Sequence, residues 1–149
     1  MIVTDVNPLV YAFRSDTQAH VLSRSVLQSA RDTGGLLVLP DVAASFIRIV
    51  TSPRIVRNPN RPREALNFIE TLAADGRFMS EARITRWAIF REILEGEELR
   101  TSRIPDALLA ATCRDLGAAI LTADRDFLTF TGLRVNLITP HGLIDHTVA

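Results

Sequence analysis

The sequence predicts an α/β fold in which helices cover both faces of a mainly parallel central sheet of four to five strands, and three observations predict it. Compact apolar runs at Met1–Thr4, Leu36–Leu39, Ala118–Thr122 and Leu133–Ile138 alternate with stretches of helical periodicity, as strand–helix–strand units require. Glycine, proline and asparagine stand between those stretches, where chain direction has to change. Asp5 and Asp124 follow two of the runs within two positions, and the carboxyl ends of strands are where open α/β sheets bind ligands.

Met1 to Thr4 reads as a short buried strand. Pro8 as first helical residue would make Asn7 the N-cap of a helix running to Phe13, leaving Asp5 without a capping duty. A second helix from Gln18 to Asp32 carries the stripe Val21, Leu22, Val26 and Leu27, and Gly34-Gly35 ends it. Leu36–Leu39 is a strand stopped by Pro40, and Asp41–Val50 returns to helix with Val42, Phe46, Ile49 and Val50 inward. Thr51 to Arg61 is a loop by composition.

Pro62 opens a helix to Ala74, with Leu66, Phe68, Ile69 and Leu72 as its core side. Arg77–Ser80 reads as a short edge strand, and Ala82–Leu94 as a helix bearing Ile84, Trp87, Phe90 and Leu94. Trp87 and Phe90, at helical spacing, fit a core or dimer interface better than a base-stacking platform. The helix Pro105–Gly117 precedes the strand Ala118–Thr122, a tight helical turn at Asp124–Phe130 and the last strand, Leu133–Ile138. His20 begins no ligand pattern, and His141 and His146 read as part of a polar tail.

Composition narrows function further. The 149 residues, 47% of them hydrophobic, fit one domain at residues 1–149 with a real core. The formal net charge is zero, so any nucleic-acid binding must come from local patches. No lysine occurs, which excludes a P-loop and a receiver-type phosphoacceptor. The single cysteine, Cys113, lies among apolar helical residues and reads as a core thiol, consistent with a reducing cytoplasm. Neither an export signal nor a membrane-spanning run is expected.

Asp5 follows the first strand, and Asp124 and Asp126 follow the strand Ala118–Thr122; if those two strands are neighbours at a switch point, the acids face one crevice. Asp106 sits in the first turn of the helix opened by Pro105, where complementing the helix dipole is its simplest role. Asp124 could equally cap the turn after it. Converging carboxylates without a nearby lysine repel one another unless a divalent cation stands between them, and oxygen-only ligands favour magnesium or manganese over zinc.

Four segments, in order, resemble the PIN-domain ribonucleases, above all the VapC-type toxins of toxin–antitoxin pairs. They are Asp5–Ala12, Phe46–Ile55, Pro105–Ala111 and Leu121–Phe127. The resemblance implies a three-layer α/β/α PIN fold and a magnesium- or manganese-dependent endoribonuclease acting on tRNA or rRNA. It implies Asp5, Asp106 and Asp124 as metal ligands, Asp126 beside or bridging them, and Asn7 and Thr122 supporting them by hydrogen bonding. It also implies a homodimer and a VapB-type antitoxin that docks near the acids. One departure stands out: the family's glutamate in the helix after the second strand is replaced by Ser45. Asp41, one helical turn earlier on the same face, is either a substitute carboxylate or a plain N-cap.

Arg48, Arg54, Arg57, Arg61 and Arg63 cluster around the loop after that helix, as RNA phosphate contacts, a solvated loop or an antitoxin-facing surface. A PIN-fold RNA- or partner-binding module without catalysis is the competing reading, motivated by Ser45. A phosphatase of haloacid-dehalogenase type, with Asp5 as nucleophile, is disfavoured because position 7 is Asn and a phosphate-binding lysine is missing.

Overall fold

The computed structural model describes residues 1–73, 84–96 and 101–149. Five strands, β1 (Ile2–Thr4), β2 (Leu36–Leu37), β3 (Ala119–Thr122), β4 (Arg134–Thr139) and β5 (Gly142–Thr147), form one sheet in the order β2-β1-β3-β4-β5. All neighbours are parallel except the β4–β5 hairpin. The chain leaves β1 to one side for β2 and returns on the other side for β3, so a topological switch point lies between β1 and β3. Val3 pairs with Ile120 and Thr4 with Leu121, and the Asp5 amide extends the ladder by donating to the Leu121 carbonyl at 2.9 Å.

Alternation along the strands divides the interior into two cores. Val3, Leu37, Ile120, Val135 and Leu137 face one way, under α5 (Ile84–Gly96) and α6 (Ile104–Leu116). Leu36, Val38, Leu121 and Ile138 face the other, under α1 (Val6–Phe13), α2 (His20–Asp32), α3 (Pro40–Val50) and α4 (Pro62–Leu72). On that second side Phe13, Phe46 and Phe68 pack with ring centroids 5.1–5.5 Å apart. The expected three-layer α/β/α architecture is therefore the one found.

Several local expectations are corrected. Helix α1 starts at Val6, two residues before Pro8, with Asp5 and not Asn7 as its N-cap. Proline is tolerated through the first turn because amides there have no intrahelical partner, so Pro8 did not have to be the first helical residue. Helix α3 likewise begins at Pro40 with Leu39 as N-cap, leaving Asp41 exposed in the first turn. Ala65 takes the inward position on α4 that Leu66 was expected to fill, and Leu66 is exposed. Trp87 is 64% exposed against Phe90 and is not core. The tail carrying His146 is strand β5, where His146 pairs with Val135; its mixed polar residues follow from lying on a solvent-facing edge. The edge strand expected at Arg77–Ser80 lies outside the described residues.

Cys113 is buried in the α6 core, where burial pushes its thiol up to about 12, so it is an inert core thiol. Helix α6 ends at Gly117, which takes φ 59° and is followed by a bond from the Ala118 amide to the Cys113 carbonyl at 2.8 Å. This left-handed cap turns the chain from α6 directly into β3. A methyl group there would meet nothing within 4 Å, so its only penalty is the backbone conformation. Gly117→Ala should therefore lower unfolding free energy by about 1 kcal/mol in urea denaturation; an unchanged midpoint would contradict this account of the α6 terminus.

Candidate active site

Asp5 is the residue at which β1 ends and α1 begins, and it is only 9% exposed. Its extended backbone aims the side chain at the helix start, where Oδ1 accepts the Val6 amide at 2.7 Å. The other oxygen, Oδ2, accepts the Thr122 hydroxyl at 2.7 Å. That hydroxyl oxygen accepts the Asp124 amide at 3.0 Å, and Asp124 Oδ1 accepts the Asp126 amide at 2.9 Å. One run of hydrogen bonds thus passes from α1 through the ends of β1 and β3 into the turn Arg125–Thr129, of which Asp124 is the N-cap. Thr122 is fully buried at the centre of the run.

The electrostatics place a third acid beside these two. Burial raises the Asp5 pKa; the bonds from Thr122 and Val6 pull it back, and the Asp124 charge pushes it up again. Asp106, half-buried in the first turn of α6, is raised to about 6, first by burial and then by Asp5 and Asp124, with a smaller push from Asp126. Arg103 opposes that rise. Oxygen-only donors that destabilise one another as anions suit a hard divalent cation. Among the described residues, no three acidic, imidazole or thiol groups stand close enough together to form a ready-made cage. Asp5 and Asp124 are each engaged by a hydrogen bond of their own.

Other expected site residues divide. Thr122 supports Asp5 and Asp124 directly. Asn7 and Ser45 are half-buried and form no side-chain hydrogen bond among the described residues, and Asp41 is exposed. Asp126 is largely exposed, with its carboxylate 3.7 Å from the Arg103 guanidinium. Arg48, Arg54, Arg57, Arg61 and Arg63 are all exposed, and none forms an ion pair among the described residues. Arg14 fastens their loop by donating to the Asn58 carbonyl at 2.9 Å and Asn60 Oδ1 at 3.2 Å.

Sequence reasoning missed Arg103. Its guanidinium donates to the Asp126 carbonyl at 2.6 Å and to Thr129 Oγ1 at 3.1 Å, and lies 4.6 Å from the Phe130 ring centroid. It therefore ties the turn carrying Asp126 to the start of the helix carrying Asp106. Its position three residues before Asp106 was the one available signal, because its partners are more than twenty residues away in sequence.

An α/β/α sheet with Asp5 and Asp124 linked through Thr122 at its switch point, and with Asp106 near enough to feel both charges, defines a class, and comparison with known proteins agrees with it. The family model described as the PIN domain matches residues 2–133, and the chain belongs to that family, with VapC ribonucleases as its relatives. It is 36% identical over 136 residues to Ribonuclease VapC43 of Mycobacterium tuberculosis, spanning 90% of this chain and 92% of that protein. Ribonuclease VapC48 of the same organism is 32% identical over 135 residues, spanning 88% and 92%. The fold matches the crystal structure of VapBC2 from Rickettsia felis bound to a DNA fragment from their promoter, with TM-score 0.65 and 15% identity, over 92% of this chain and 98% of that one.

The raised Asp106 pKa has a consequence for stability. Near pH 4 the carboxyl is largely protonated folded and substantially so unfolded, whereas above about 6 the folded protein must hold a charge that its neighbours oppose. Asp106→Asn should stabilise the metal-free protein by about 1 kcal/mol at pH 7.5, allowing for solvent screening, and by much less at pH 4. Urea titrations at the two pH values measure it; equal stabilities of variant and wild type at pH 7.5 would refute the repulsion.

Proposed function

We propose that this chain is a divalent-metal-dependent endoribonuclease toxin of VapBC type, a single PIN domain over residues 1–149. It hydrolyses phosphodiester bonds of tRNA or rRNA in the cytoplasm, works as a homodimer, and is silenced by a VapB-type antitoxin. The carrying observation is the hydrogen-bonded run from Asp5 through Thr122 to Asp124, at the switch point of a chain 36% identical to VapC ribonucleases. No described helix is long and apolar enough to cross a membrane.

Asp5, Asp106 and Asp124 would hold magnesium or manganese, with Asp126 beside them. When bound, that ion supplies a water activated for attack and neutralises charge on the scissile phosphate. The chain's own contribution is geometry. Val6 and Thr122 fix both oxygens of Asp5, and Thr122 also sets the start of the Asp124 turn, so α1 and β3 cannot drift apart without breaking the run. Arg103 holds Asp126 against α6. The exposed arginines Arg48, Arg54 and Arg57 contact RNA phosphates, which guanidinium groups bind in bidentate fashion.

A PIN-fold binding module without catalysis is a second reading, favoured by Ser45 in the glutamate position and by exposed Asp41 offering no evident replacement. Incubating the purified chain with total RNA, with and without manganese, separates the two. Cleavage should require manganese and be abolished in Asp5→Asn and Asp106→Asn; an inactive wild type supports the binding module, and unimpaired variants sink the metal site. Thr122→Ala should lower kcat about 10- to 100-fold, as losing a ligand's supporting partner does, while Thr122→Ser retains the hydroxyl and restores most of it. Equal losses in both variants would mean that packing of the threonine methyl, not its hydroxyl, matters.

A further inference from the structure

The loop after α1 and the first turn of α2 stand over the carboxyl ends of β3 and β4, enclosing a cleft of about 430 Å³. Tyr11, Gln18, Leu22, Ala123, Ile138 and Pro140 are among the residues that line it. Ala123 lies between Thr122 and Asp124, so the cleft opens one residue from the carboxylate run. Its volume falls within the ~300–1,000 Å³ usual for small-ligand sites.

The chemistry of the lining limits what enters. None of the lining residues is charged, so the cleft supplies no cation to balance a phosphate and suits a neutral group. Two of its hydroxyls are spent on the loops themselves: Thr17 donates to the Tyr11 and Arg14 carbonyls at 3.2 and 2.9 Å, and Thr139 to the Gly142 carbonyl at 2.8 Å. The Tyr11 hydroxyl and the Gln18 amide have no hydrogen-bond partner among the described residues. An amide presents a donor and an acceptor side by side, the pattern that the edges of nucleobases complement. The walls are already set, because His20 Nδ1 lies 2.9 Å from the Tyr11 carbonyl and Arg14 binds Asp16, Asn58 and Asn60. That last link also joins the cleft wall to the loop of exposed arginines.

We infer that this cleft receives one unpaired nucleobase of the RNA next to the scissile phosphate, laid against its apolar wall and read by the Gln18 amide and the Tyr11 hydroxyl. The inference rests on the nuclease reading above. It makes Gln18 and Tyr11 specificity-determining residues in a subsite separate from the acids.

Sequencing the ends of fragments cut from a randomised single-stranded RNA tests it. The wild type should prefer a base at one fixed position from the cut, and Gln18→Ala should flatten that preference about tenfold or more. Ala19→Leu, which adds bulk to the cleft lining, should favour pyrimidine over purine at the same position. Cleavage with an unchanged preference in both variants overturns the subsite and leaves the nuclease standing. The metal-free 149-residue chain is also titrated with single-stranded RNA homotrinucleotides of each base and followed by NMR. The Gln18 side-chain amide and Leu22 methyl signals should shift, by amounts that depend on the base. Such shifts in a chain that cuts no RNA would keep the subsite and defeat the nuclease reading. Silence of these signals overturns the subsite, including the case in which a partner peptide is its real occupant.

Discussion

Thr122 donates its hydroxyl to the Asp5 carboxylate at 2.7 Å across 117 residues of sequence, with Thr122 fully buried and Asp5 nearly so. That contact exists only because β1 and β3 run parallel as neighbours, ending at the same edge of the sheet. Had β3 paired elsewhere, Asp5 would be a buried carboxylate satisfied on one oxygen, a costly arrangement. The hydrogen bond and the strand order therefore stabilise one another, and the turn holding Asp124 and the start of α1 are built outward from them.

Around this contact the protein tolerates an electrostatic conflict. Burial and mutual repulsion raise the pKa values of Asp5 and Asp106, and Arg103 is the cation that offsets part of this at Asp106. Two well-filled apolar cores, one on each face of the sheet, carry the stability that such a crevice costs. The conflict lies at the carboxyl edge, while beneath it Val3, Leu37 and Ile120 on one face and Leu36 and Leu121 on the other are buried apolar side chains, as a sheet covered on both faces requires.

Much of this was legible in the chain. Alternating apolar runs and helical stripes gave the layers, because period-2 and period-3.6 burial are properties of local sequence. Asp5, Asp106 and Asp124 stood out because each falls beside an element boundary. What escaped has a common cause. The start of α1 differs from the expected one because proline fits any first-turn position, and Trp87 lies outside the core, one of the two places its spacing allowed, because an apolar residue does not announce its own exposure. β5 was overlooked because a solvent-facing edge strand lacks an apolar pattern, and Arg103 because both its partners are distant in sequence.

By itself, the sequence determined the α/β layering, the positions of the acids at the ends of strands and helices, and the motif order shared with PIN-domain ribonucleases, since all of these are set by short-range patterns. Only the tertiary structure decided that Asp5 both caps α1 and receives Thr122, that Arg103 joins α6 to the Asp126 turn, and that an uncharged cleft opens beside Asp124. Those depend on which strands become neighbours, and pairing across more than a hundred residues is settled by the packing of the whole chain.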